Sequence, residues 1–192
     1  AEASRFIVPW MPRVQQDLIF YSVNPSDGSK EAIYKEHQDS WIDWPEQMLF
    51  DGNGLYMVRD FTLWEQIYYL SFDGKINRCL TEGRNWDIKR LKIDPKKQEL
   101  YFTSKKEIST RVDIYKVGIK KAKTTRISTG DLSYSSIQLS DDFKYVAALC
   151  SNAKTPTKAV LLPTDGSGRM TVLSDSKTPE FDDWTVALPE IG

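Results

Sequence analysis

A single histidine, His37, and two cysteines, Cys79 and Cys150, are all that this 192-residue chain has of the residues that most often carry catalysis or bind soft metals. One His and two distant Cys cannot build a tetrahedral metal cluster. A hydrolytic triad would need His37 beside an activated serine and an orienting carboxylate. The chain lacks a Gly-x-Ser-x-Gly elbow, because Gly166-Ser167-Gly168 has the wrong spacing. His37, in Lys35-Glu36-His37-Gln38-Asp39 after a strand-like stretch, reads as a surface turn residue. Gly-rich phosphate loops are missing too, since Gly28, Gly52, Gly54, Gly166 and Gly168 all fall in hairpin turns. The neighbouring acids Asp141-Asp142 and Asp182-Asp183 either face opposite sides of a strand or are solvated in a turn. No catalytic residue, metal or cofactor is expected in this chain.

Other shortages narrow the field further. No apolar run reaches the ~18–20 residues of a membrane-spanning helix. The opening Ala1-Glu2-Ala3-Ser4-Arg5 has no signal-peptide core, which leaves a removed leader or a longer parent open. Charge of one sign is not in excess: 26 basic and 27 acidic residues give a net charge of −1. No field is therefore expected to draw in nucleic acid or an anionic membrane. The cationic clusters Lys96-Lys97 and Lys120-Lys121-Ala122-Lys123 fall at turns and read as solvated loop charges. Cys79 and Cys150 lie in different repeats and read as unpaired, largely buried thiols that do not settle the compartment. Helical periodicity is absent throughout.

What is present is a rhythm. Ala32-Ile33-Tyr34, Cys79-Leu80-Thr81, Arg126-Ile127-Ser128 and Val172-Leu173-Ser174 are strand-like stretches whose central residues lie 47, 47 and 46 positions apart. A second strand precedes each: Ile19–Ser22, Ile67–Leu70, Ile114–Val117 and Ala159–Leu162. Three of these run into Asp-Gly turns, Asp27-Gly28, Asp73-Gly74 and Asp165-Gly166, where glycine tolerates the positive φ of a tight hairpin. Six Trp, nine Tyr and eight Phe suit half-buried β-structure. Short strands repeating every ~40–50 residues are the signature of propeller blades, each burying its faces against its neighbours.

The expected fold is all-β: a partial β-propeller of about four blades of four-stranded antiparallel sheets. The blades fall at about residues 6–36, 41–82, 86–129 and 134–175. The second is expected to open with a strand at Trp41-Ile42-Asp43-Trp44 and the third with Trp86–Leu91. Phe6-Ile7-Val8-Pro9-Trp10 aligns with the second strand of later units, so the first unit should lack its first strand. One more strand is expected over residues 181–188, within a linking segment at 180–192.

Several motifs resemble a known family in order and spacing, over essentially the whole chain. Trp10-Met11-Pro12-Arg13-Val14-Gln15-Gln16 resembles the W-x-x-R-x-Q-N signature of the propeller domain of the dipeptidyl peptidase IV family. Trp41 resembles that family's blade-opening Trp, and Phe50-Asp51-Gly52-Asn53-Gly54-Leu55-Tyr56 its F-x-x-D-G-x-x-x-Y hairpin. Thr81-Glu82-Gly83-Arg84-Asn85-Trp86 resembles a T-x-G-x-W crossing between blades. Tyr101-Phe102-Thr103-Ser104 and Asp113–Val117 are similar to its Y-F-x-S and L-Y-x-V strands.

The resemblance implies the second half of an eight-bladed propeller that precedes an α/β-hydrolase domain in a serine peptidase releasing dipeptides, usually after proline. The catalytic residues and the Glu pair that anchors a substrate's amino terminus would then lie outside this chain. Peptide substrate and the hydrolase domain are the implied partners, and an extracytoplasmic location is implied by family alone. The Phe-Arg pair that some members place near the substrate is replaced here by Asp43-Trp44-Pro45, so Trp41 and Trp44 are the candidate substrate-binding residues. The alternative function is a propeller used as a protein- or ligand-binding module without peptidase activity. About four blades leave two open edges, through which the chain is expected to self-associate.

Overall fold

The computed structural model describes residues 5–184, without the side chains at positions 90 and 91. Its chain divides into two compact units, residues 1–82 and 83–192. Among the described residues, fifteen strands form four antiparallel meanders in which neighbours along the chain are neighbours in the sheet.

In the first unit, β1 (Phe6–Trp10), β2 (Asp17–Val23) and β3 (Lys30–His37) make a three-stranded sheet. Beside it lie β4 (Met48–Phe50), β5 (Gly54–Arg59), β6 (Gln66–Ser71) and β7 (Asn77–Cys79). The second unit holds β8 (Lys89–Asp94), β9 (Glu99–Ser104), β10 (Asp113–Gly118) and β11 (Lys123–Arg126). Its other sheet is β12 (Ser133–Leu139), β13 (Tyr145–Asn152), β14 (Thr155–Pro163) and β15 (Thr171–Asp175). This is blade topology, and the first sheet has one strand fewer than the rest.

Each unit packs one sheet face on the next. Leu18, Phe20, Ile33 and Tyr34 meet Ile42, Leu55, Met57 and Leu70 in the first unit. In the second, Tyr101, Ile114 and Ile127 meet Tyr134, Val146, Cys150, Val160 and Leu162. Burying each such side chain contributes roughly 1.5–3 kcal/mol before entropy is counted. Gly54 is fixed by the closeness of β5 and β6, since a Cβ there would run into the Leu70 carbonyl oxygen and the Tyr69 ring.

The 47-residue period has a chemical cause that recurs in the middle blades. Thr81 Oγ1 accepts a hydrogen bond from the Ile67 N–H (2.9 Å) and donates one to Gln66 Oε1 (2.7 Å). One period later, Ser128 Oγ accepts from the Ile114 N–H (3.1 Å) and donates to Asp113 Oδ1 (2.7 Å). A hydroxyl just past the last strand thus pins the start of the strand before it, where the sheet ladder ends. At the corresponding place in the fourth blade, an ion pair joins Lys158 to Asp175 at 3.0 Å.

The Asp-Gly turns share another device. Asp27, Asp73 and Asp165 each accept the backbone N–H two residues on, from Ser29, Lys75 and Ser167. These bonds, with the Ser71 and Ser167 hydroxyls, hold all three carboxyls below their usual range, Asp165 at about 2. In the third blade, which has no Asp-Gly, Ala122 takes the left-handed position at φ 51° and closes the turn through its N–H to the Gly118 carbonyl.

Three expectations need correction. Residues 41–47 are not a strand, and the second blade opens on Met48–Phe50 instead. Pro45 has no N–H for a ladder, and the backbone around it is bonded to side chains and to a loop from the first sheet. The third blade opens three residues later than expected, at Lys89, because Asp87 adopts a left-handed φ of 54° that breaks the extended run. Over Pro179–Asp183 the chain makes a 3-10 turn rather than a strand, and residues 185–188 of that expected strand lie outside the described residues.

The cysteines are both free, but they differ: Cys79 is exposed and Cys150 buried. The expectation of two largely buried thiols therefore fails at Cys79, which lies on the short edge strand β7. Burial pushes the Cys150 thiol up from its ordinary value. A thiol-reactive disulfide reagent is expected to label one equivalent of native protein, at Cys79, and the second only on unfolding. Two rapid equivalents under native conditions would contradict this packing.

Candidate functional site

The two candidate tryptophans stand in the irregular segment 38–47 between β3 and β4. Trp41 is 78% exposed and Trp44 47% exposed, while Ile42 and Pro45 beside them are buried. Apolar anchors thus alternate with presented indoles. Among the described residues, nothing covers most of the Trp41 side chain.

Although irregular, the segment is tied at several points. Gln15 adopts a left-handed φ of 55°, and its carbonyl accepts the Ile42 N–H at 2.7 Å. The Gln16 carbonyl accepts the Gln38 N–H at 3.0 Å, and Gln16 Nε2 donates to the Asp39 carbonyl at 3.0 Å. The paired glutamines that end Trp10–Gln16 therefore hold the loop that carries Trp41 and Trp44. From the opposite side, Arg59 Nη1 donates to the Asp43 carbonyl at 2.9 Å.

Arg59 belongs to a buried network. Its Nε and Nη2 donate to Glu36 Oε2 (3.0 Å) and Oε1 (2.5 Å), with both side chains 4% exposed. Tyr34 Oη donates to Glu36 Oε2 at 2.7 Å and Gln38 Nε2 to Oε1 at 2.8 Å. Burial, and then the bond to Glu36, push the Tyr34 phenol well above its ordinary value. Burial lowers the Arg59 guanidinium, but Glu36 outweighs it and the net shift is upward. Both shifts make the Tyr34 phenol and the Arg59 guanidinium harder to deprotonate.

His37 lies at the exposed end of β3, its Nδ1 2.8 Å from Asp17 Oδ1 and its Nε2 3.8 Å from Asp39 Oδ1. No hydroxyl bonds to it among the described residues. Asp142 is bound up in its own turn with Ser140 and Lys144, and Asp182 pairs with Lys177. Of the lysines read as solvated loop charges, Lys97, Lys120, Lys121 and Lys123 line, together with Lys116 of β10, a cleft of about 400 Å³ that also holds Glu99 and Asp165. Lys116 is matched there by Glu99 at 2.8 Å.

Sequence reasoning named the two tryptophans as candidates and did not name Glu36 or Arg59, which tie their loop. The doubled glutamine of the first motif was the available signal for the loop's other tether.

Comparison with known proteins agrees with this architecture. A family model described as the dipeptidyl peptidase IV (DPP IV) N-terminal region matches residues 1–157. Dipeptidyl peptidase 4 of Arthroderma otae is 27% identical over 187 residues, covering 87% of this chain and 24% of the relative. That of Trichophyton rubrum is 27% identical over 198 residues, covering 92% and 25%. The crystal structure of Porphyromonas gingivalis dipeptidyl peptidase 4 superposes with a TM-score of 0.76 at 22% identity, covering 94% of this chain and 25% of that one. The chain thus spans about a quarter of the length of these relatives. With a match across residues 1–157 and a shared propeller fold, the chain belongs to the family of the dipeptidyl peptidase IV N-terminal region.

Proposed function

We propose that this chain is the non-catalytic propeller portion of a dipeptidyl peptidase IV-like serine exopeptidase, and that it shapes and filters peptide access to a hydrolase domain of the same protein. The parent reaction in this reading is release of N-terminal dipeptides, typically after proline, outside the cytoplasm. The observation that carries the site is the tethered loop 38–47, which exposes Trp41 and Trp44 while burying Ile42 and Pro45. A pair of indoles forms a rigid apolar wall against which a proline ring and an extended peptide can pack, at little entropic cost.

The test is Trp44→Ala in the full-length peptidase. Loss of one aromatic face from the peptide is expected to raise KM for an Xaa-Pro substrate about 5–10-fold, leaving kcat within about twofold, because the contact acts on bound substrate as much as on the transition state. Unchanged KM and kcat would remove Trp44 from the site.

Self-association of the 192-residue chain belongs to the same reading. Phe6, Val8 and Trp10 are exposed on one face of β1, and Tyr145 and Leu173 are exposed in the last sheet. These two faces are the proposed contacts between copies.

A further inference from the structure

The Glu36 carboxylate is saturated without the main chain at Asp43. Each oxygen accepts two hydrogen bonds, one from Arg59 and one from Gln38 or Tyr34. Arg59 satisfies its counter-ion with Nε and Nη2 alone. Its remaining arm, Nη1, is directed to the main chain at Asp43, the residue between the buried Ile42 and the exposed Trp44. Only a planar guanidinium can grip a carboxylate side-on and hold a third acceptor at a fixed angle, whereas an ammonium on a flexible stem cannot.

The anchoring sheet positions are rigid for a plain reason. Glu36 and Arg59 lie on β3 and β5, whose neighbours Tyr34 and Met57 belong to the first unit's core. The loop itself has no ladder, so its conformation depends on these few bonds.

We infer that the buried Glu36–Arg59 pair is a positioning device: it fixes the main chain at Asp43 and so aims the Trp44 indole at the bound peptide. Arg59 touches no substrate in this arrangement and acts through the loop. The inference rests on the reading of Trp44 as a peptide contact, and it specifies which residues set the geometry of that contact.

The experiment uses the full-length peptidase, with hydrogen exchange of segment 38–47 followed beside steady-state kinetics on an Xaa-Pro substrate. Arg59→Lys keeps the charge but loses the third arm. A triple replacement, Tyr34→Phe with Glu36→Leu and Arg59→Met, removes the tie while leaving no buried charge, so the fold does not depend on the pair. Both are expected to speed exchange of the loop amides about tenfold or more while the amides of β5 and β6 keep their protection. KM is expected to rise about fivefold with kcat within about twofold. A merely structural role would instead loosen β5 and β6 along with the loop, and that outcome overturns the inference. So does unchanged loop exchange in both variants, or faster loop exchange with unchanged KM. Failure of the underlying reading looks different: Trp44→Ala leaves KM unchanged whatever the loop does.

Discussion

Replacing Asp113 by alanine is expected to destabilise the second unit by about 3 kcal/mol, read from urea unfolding. Asp113 is fully buried at the start of β10, and its carboxylate is the hub of that blade. It accepts Arg126 Nε (3.0 Å) and Nη2 (2.6 Å), Arg111 Nε (2.9 Å) and the Ser128 hydroxyl (2.7 Å). Removing it takes from Arg126 its carboxylate, from Arg111 one of its two carboxylates, and from the Ser128 hydroxyl its acceptor. The cost sits at the lower end of the roughly 3–5 kcal/mol for a broken buried pair, because the Arg126 side chain is 31% exposed and can turn toward water. The control is Asp131→Ala. Asp131 binds the same Arg111 at 2.6 Å but is 80% exposed, so its loss is expected to cost less than about 1 kcal/mol. If Asp113→Ala unfolds within about 1 kcal/mol of wild type, the hub is not holding the blade.

That hub also marks the line between what was legible in the sequence and what was not. The period at Ile33, Leu80 and Ile127 was readable because each is a buried apolar residue at the same place in its blade. The partners that make the period, Gln66 with Thr81 and Asp113 with Ser128, lie 15 residues apart and meet only when the hairpin closes. Local pattern sees each residue and misses the bond. The same distance problem hid the Glu36–Arg59 pair, whose members are 23 residues apart on different sheets.

Two strand starts were placed too early, each at a tryptophan. Trp41 and Trp86 resemble blade openers, but both are exposed and precede the first strand of their blade. At Met48–Phe50 the opening strand is only three residues long, too short for any alternation to announce it. Of the candidate site, the two indoles were visible as residue types. Their presentation was not, because it follows from Pro45, Ile42 and tethers supplied by two other segments, Gln15-Gln16 and β5.

The 192-residue chain is expected to self-associate through two different faces, and a lysine introduced on either face should weaken it. A solvent-facing antiparallel sheet alternates apolar with polar residues. The last sheet does not: Val146, Ala148 and Cys150 fill the core, yet Tyr145, Ala147 and Leu149 line the opposite face of the same strand. Leu173 continues the series of Ile33, Leu80 and Ile127, which are buried, but is itself 61% exposed. On the first sheet, Phe6, Val8 and Trp10 face away from the core, opposite Val23, Tyr21 and Ile19 in the neighbouring strand. Each surface has the composition of a blade-to-blade contact, one from either end of the repeat. Sedimentation is expected to give a concentration-dependent mass above the 22.1 kDa of one chain. Val8→Lys or Leu173→Lys alone should weaken association by tenfold or more, since a lysine at the contact must be desolvated without a partner. Neither change should much affect folding, because both positions are exposed. Mixing the two variants discriminates further. Each retains one intact face, and the two intact faces are complementary, so a contact between unlike faces predicts recovery of a one-to-one pair that cannot grow. A contact between like faces predicts no such recovery, and a wild-type monomer at about 100 μM, a concentration at which a micromolar contact would be largely formed, removes the association altogether.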